Sequence, residues 1–235
     1  MANIDNLKNA LKSFSKIDND DILTMLALIL EFDFKADSTK SNFTFGELEK
    51  RFMVKGHTRV TIKDALGWAA QWRLILPSWR KDLRSSCWED RREILTKPNT
   101  RYEVLRVVQY FVANAIETGI WDAKVAVKNA FSNLTNISGE LALNVLTKIA
   151  TVAEEDYREE MQGDFPYYFL PIVKLKEIFK EFKVDGSKNA DFWVVELKAI
   201  DIMTPEVNAL YSKDKEGFGF ELNTSIILSL RNANL

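Results

Sequence analysis

Apolar positions in the first part of the chain recur at helical intervals. Ile4, Leu7, Leu11 and Phe14 follow at spacings of three, four and three, which predicts an amphipathic helix over residues 3–16. Asp20 or Asp21 can cap a second helix, Ile22 to about Phe34, apolar around most of its circumference and therefore expected to be buried. Residues 36–42 are polar and read as a loop. Thr44 and Glu47 have the capping-box spacing and start a short helix, Phe45 to Phe52. Beyond Gly56, a helix from Thr58 or Thr61 to Arg73 puts Ile62, Ala65, Leu66 and Ala69 on one face. Leu74-Ile75-Leu76, closed by Pro77, reads as a strand, with Glu93-Ile94-Leu95 as its returning partner.

The pattern then repeats its helical period four times: Tyr102–Glu117, Trp121–Leu134, Leu141–Met161 and Tyr167–Phe182. Gly119 and the Asp164-Phe165-Pro166 turn interrupt it, and Ser138 is the cap candidate for the third helix. After Gly186 the period falls to two. Phe192–Ile202 and Phe218–Leu230, rich in β-branched and aromatic residues, predict strands, with a short helix begun at Thr204-Pro205-Glu206 between them. The expected fold class is mainly α with minor β.

Composition removes more chemistry than it suggests. The 235 residues are 46% hydrophobic and 28% charged, an ordinary globular mixture. Cys87 is the only cysteine and His57 the only histidine, which excludes an internal disulfide, a cysteine-only metal site, a two-histidine facial triad and HExxH chemistry. His57, beside Gly56, reads as a polar turn residue and Cys87 as a bystander thiol. No GxxxxGK[ST] or GxGxxG motif occurs. The longest apolar run, Met25 to Leu30, is too short for a bilayer, and no secretory signal is visible, so an intracellular, cytoplasmic protein is expected.

Charge changes the picture. Between Lys50 and Arg92 stand eleven Lys and Arg against four acids, a local excess of +7 in a chain whose net charge is −2. Such a field favours polyanions whatever the total.

The order from Ile22 to Leu95 is helix, short helix, turn, helix, strand, polar loop, strand. It resembles the winged-helix variant of the helix-turn-helix, carried by Phe45-Gly46-Glu47-Leu48-Glu49-Lys50-Arg51-Phe52 as second helix, Ile62–Leu74 as third and Leu74-Ile75-Leu76-Pro77 as first wing strand. The resemblance implies that the third helix enters the major groove and the wing lies by the backbone. Lys55, Arg59 and Lys63 flank the start of that helix, and Arg80, Lys81, Arg84, Arg91 and Arg92 sit in or beside the wing, with Trp79 and Trp88 placed to stack or wedge. Double-stranded DNA is thus the expected partner of a non-catalytic regulator of transcription or replication. The long loop and the tryptophans Trp68 and Trp72 on the third helix are the features of a rival reading, a protein-interaction subunit.

A second resemblance concerns Asp185 and the strand Asp191–Ala199, whose Glu196-x-Lys198 is similar to the hairpin of PD-(D/E)xK nucleases. It implies Asp185 and Glu196 as Mg²⁺ ligands and Lys198 as the group orienting the attacking water. An amphipathic strand with no catalytic role is the simpler reading, and outside the nuclease case no cofactor or metal is expected. The domain expectation is an N-terminal helix (1–19), a winged helix (20–97) and a helical domain with C-terminal strands (98–235). Residues 100–182 are the surface for a protein partner or a homodimer.

Overall fold

In a computed structural model, Ile4–Ser15 (α1) and Asp20–Lys35 (α2) form the first two helices. The structure describes residues 4–15, 17–35, 42–77, 96–156, 167–184, 186–203, 207–208 and 218–233. The chain is mainly helical, with ten helices and two small antiparallel sheets among the described residues. It divides into two compact units, residues 1–122 and 123–235.

In the first unit the caps set the starts. Asn19, rather than either following aspartate, caps α2: its Oδ1 accepts from the N–H of Asp21 at 3.0 Å and of Ile22 at 3.1 Å. A short strand, Asn42–Thr44 (β1), runs into the helix Phe45–Met53 (α3) through the complete capping box, Thr44 N–H donating to Glu47 at 2.6 Å and Glu47 N–H donating to Thr44 Oγ1 at 3.2 Å. Thr58 caps Arg59–Gln71 (α4). Ile75–Pro77 (β2) follows. The strand that pairs with it is Arg101–Val104 (β3), where the apolar spacing predicts the first turn of a helix. Tyr102 and Val104 are buried while Arg101 is exposed and Glu103 half-buried, a period of two too short to separate from a helix by pattern. The expected return strand at residues 93–95 lies outside the described residues. β3 is central: β1 pairs along one edge and β2 along the other, all antiparallel. The helix Arg106–Thr118 (α5) completes the unit, so α1, β3 and α5 belong with α2–β2, and the unit runs past residue 97 to Asp122. Phe14 of α1 ties three segments together, its ring 4.8 Å from Trp72 and 5.1 Å from Trp121, which lies 5.1 Å from Phe111 of α5.

The second unit opens with the helices Ala123–Leu134 (α6) and Gly139–Val152 (α7). Ser138 stands at the N-cap of α7, without a side-chain capping bond. α7 ends nine residues before the expected Met161, and Glu154–Asp156 (β4) begins the sheet. Tyr167–Pro171 (β5), expected as helix, precedes the helix Ile172–Glu181 (α8). Ser187–Ala199 (α9) is a helix where the alternation predicts a strand. Trp193, Leu197 and Ile200 are its buried positions, spaced four and three, and Trp193 packs on Phe179 at 6.0 Å between ring centroids. Burial on one helical face outweighs the strand propensity of Phe192-Trp193-Val194-Val195. Val207–Asn208 (β6) and Phe218–Leu222 (β7) complete a sheet of order β4-β5-β7-β6. The short helix expected at residues 204–206 lies outside the described residues.

The long final strand is also corrected. Buried Asn223 stops β7 and caps Thr224–Asn232 (α10), its Oδ1 accepting from Ser225 N–H at 3.1 Å and Ile226 N–H at 3.4 Å. From α10, Arg231 reaches the end of α7. Its Nε donates to Ala150 O at 2.7 Å, Nη2 to Ala153 O at 2.6 Å and Nη1 to Glu155 at 2.6 Å, with the guanidinium 4.4 Å from the centre of the Tyr168 ring. Two carbonyls at the end of α7, those of Ala150 and of the C-cap Ala153, are thereby bonded.

Candidate nucleic-acid interface

α4 presents two chemically distinct sides. Ile62, Ala65, Leu66, Ala69 and Ala70 are buried, while Arg59, Val60, Lys63 and Asp64 are exposed. Trp72, just past its end, is buried on Phe14 and so is spent on the core, while Trp68 is half-buried. The turn before α4 is closed by bonds from Lys55 N–H and His57 N–H to Phe52 O, at 3.0 and 3.2 Å. Gly56 holds φ +88° there, a conformation that L side chains rarely adopt. Half-buried His57 sits edge-on to the Phe52 ring.

The three expected cations in this region have different fates. Lys55 and Lys63 are exposed on either side of the α4 start. Arg59 is a joint. Its Nε pairs with Glu49 of α3 at 3.0 Å, its Nη2 donates to Thr96 O at 2.7 Å, and its guanidinium lies 5.4 Å from the Phe45 ring centre. Its charge is therefore answered by an acid on the neighbouring helix. Other basic residues of the segment are also committed: Arg51 covers the Phe32 ring at 4.7 Å, and Arg73, only 1% exposed, is buried. Exposed Lys50 and Lys97 join Lys55 and Lys63.

Thr96–Thr100 is seated on the same corner. Phe45 N–H donates to Thr100 O and Gly46 N–H to Pro98 O, both at 2.9 Å. The loop between β2 and β3 therefore returns beside the starts of α3 and α4. Arg80, Lys81, Arg84, Arg91, Arg92, Trp79, Trp88 and Cys87 lie outside the described residues.

Charge counting does not single out Val60, 67% exposed on the outer face of α4, or Val54, 88% exposed in the turn. Gly67 is the other omission. It sits inside α4, where a Cβ would meet nothing within 4 Å. No packing requires it, so Gly67→Ala is expected to raise stability by about 1 kcal/mol, read as a higher urea midpoint at unchanged slope; a lower midpoint would mean that the site is more crowded than it looks.

The strand expected to carry Glu196 and Lys198 is a helix. Glu196 and Lys198 lie on α9, a helix, where residues two apart point about 200° around the axis and share no face. Lys198 covers the Phe220 ring at 5.2 Å, and Asp185 lies outside the described residues. Among the described residues, no group of three or more His, Cys, Asp or Glu could hold a metal ion, and no helix is long and apolar enough to cross a membrane. In comparisons with protein-family models, curated proteins and solved structures, the chain matches none of them.

Proposed function

We propose that residues of the first unit form a winged helix-turn-helix domain that binds double-stranded DNA, with α4 as the groove-entering helix and the loop between β2 and β3 as the wing, in a non-catalytic regulator of transcription or replication. The connectivity carries this reading. The run α2, β1, α3, α4, β2, loop, β3, with a sheet of order β1-β3-β2, resembles the order of elements in a winged helix. Arg59 and Thr96 supply the second support, because they bring the foot of the loop to the N-terminal end of α4. The exposed side of α4 carries Lys63, whose chemistry suits phosphate or guanine, Asp64, which suits an exocyclic amine, and Val60, which suits a thymine methyl.

Lys55→Gln with Lys63→Gln is the clean test, since neither side chain holds the fold together. Wild-type protein should shift a generic duplex with an affinity that falls steeply between low and high salt. The double variant should reduce the slope of log affinity against log salt by about two, one for each phosphate that no lysine then neutralises. Duplex binding absent at low salt would end the DNA reading. Charge reversal of Arg59 is a poorer probe, because it also breaks the α3–α4–loop joint.

A protein-interaction role is the second reading, favoured by one observation: Met53, Val54 and Val60, three large apolar side chains, are all exposed at the α3–α4 corner. Wild-type protein that ignores duplex at any salt, yet holds a partner through a Val54→Asp-sensitive surface, would establish it.

A further inference from the structure

α9 turns an apolar seam to the outside of the second unit. Trp193, Leu197 and Ile200 fill its inner face. On the opposite face Phe192 is 39% and Val195 60% exposed, and Ala199 continues the line at helical spacings of three and four. Other exposed large apolar residues of this unit, Val125 and Leu134 on α6 and Val173 on α8, do not form such a line on their own helices; Val125 and Leu134 stand nine positions apart.

We infer that this face of α9 is a docking surface for a second copy of the same helix, packed antiparallel about a two-fold axis passing by Val195. The order of residues is self-complementary in that arrangement. Phe192 and Ala199 are seven positions apart and lie on one side of the Val195 line, so the large ring of one copy meets the small methyl of the other. Asp191 and Lys198, also seven apart, lie on the other side. Antiparallel pairing sets each carboxylate against an ammonium of the opposite copy, whereas parallel pairing about a two-fold sets the charged side of one copy against the apolar side of the other. Exposed Asp191 has room for that pairing, and Lys198 is already held along the Phe220 ring, which limits the freedom it loses on association. A two-fold interface of this kind uses one patch twice, and both partners of every pair come from the same short helix. The seam spans about two turns, so the association is weak and concentration-dependent.

Sedimentation velocity of the full chain, over a series reaching on the order of 100 µM, tests this directly. The wild type should pass from monomer to dimer. Val195→Glu puts two carboxylates together on the axis and should weaken dimerisation by about tenfold or more. Asp191→Lys should also weaken it, and the swap Asp191→Lys with Lys198→Asp should restore it, since the complementary pair is then rebuilt in reverse. Urea unfolding of each variant separates loss of association from loss of fold. In case Lys198→Asp unfolds the unit by leaving Phe220, Val195→Cys in a Cys87→Ser background gives an independent reading: oxidation should join two chains. A wild type that stays monomeric throughout, a dimer indifferent to Val195→Glu, or no cross-link at residue 195 would each overturn the assignment. None of these results depends on whether the first unit binds DNA.

Discussion

Arg231→Met is expected to destabilise the second unit by about 3 kcal/mol, the cost of losing charge-assisted bonds at a helix end. The guanidinium bonds Ala150 O and Ala153 O and pairs with Glu155, while its flat face covers the Tyr168 ring. Methionine can fill much of the volume over Tyr168 but donates nothing. The carbonyls at the end of α7 are then left to whatever water can reach them, and Glu155 loses its partner. Arg231→Lys should recover only a minor part, because one ammonium cannot reach three acceptors lying in different directions. Urea unfolding followed by hydrogen exchange at the amides of α7, α8 and α10 reads the second unit, and exchange in the last turn of α7 reads the cap itself. An unchanged midpoint with unchanged exchange at Ala153 would show that the bonds contribute nothing net.

Gly219→Val should be comparably damaging, about 3 kcal/mol, for the opposite reason. At Gly219 a side chain has nowhere to go. Its first carbon would fall on the carbonyl of Leu170 and on the ring of Phe169, both from the neighbouring strand β5. Phe169 covers the space that a side chain would fill, so β5 and β7 must part to accept one. Since β7 also carries β6, the disturbance reaches both of its edges. Even Gly219→Ala should lower the midpoint clearly, and pairing with Phe169→Ala should relieve part of the loss. Full stability in the valine variant would mean that the two strands stand farther apart than described.

Local chemistry was legible in the sequence, and distant chemistry was not. The Thr44/Glu47 box needs only residues three apart and the structure has it, and of the two starts open for the next helix, Thr58 and Thr61, Thr58 is the cap. The turn at Gly56 and the helix end at Gly119 were similarly plain. Four segments misled because their residues suit two conformations. β3 and β5 look helical over a few apolar positions, α9 is rich in strand formers, and β7 runs into α10 with no proline or glycine between them. In each the deciding information is which face finds a neighbour, and that neighbour is remote in sequence. The candidate site divides the same way. Lys55 and Lys63 are exposed as expected, whereas Arg59 is drawn into a joint by Thr96, 37 positions away. Val60 gave no signal, because an apolar residue facing water is indistinguishable by type from one facing a core.

The central place of β3 has a consequence for how this protein is made and cut. Among the described residues, strands β1 and β2 do not pair with each other; the sheet partner of each is Arg101–Val104. During synthesis both must wait, edge groups bare, until that third piece leaves the ribosome. A fragment trimmed at residue 97 would therefore keep both helices of the α3–α4 corner and lose the strand that pairs β1 and β2. Expression of that corner alone should extend through Asp122, where the compact unit ends.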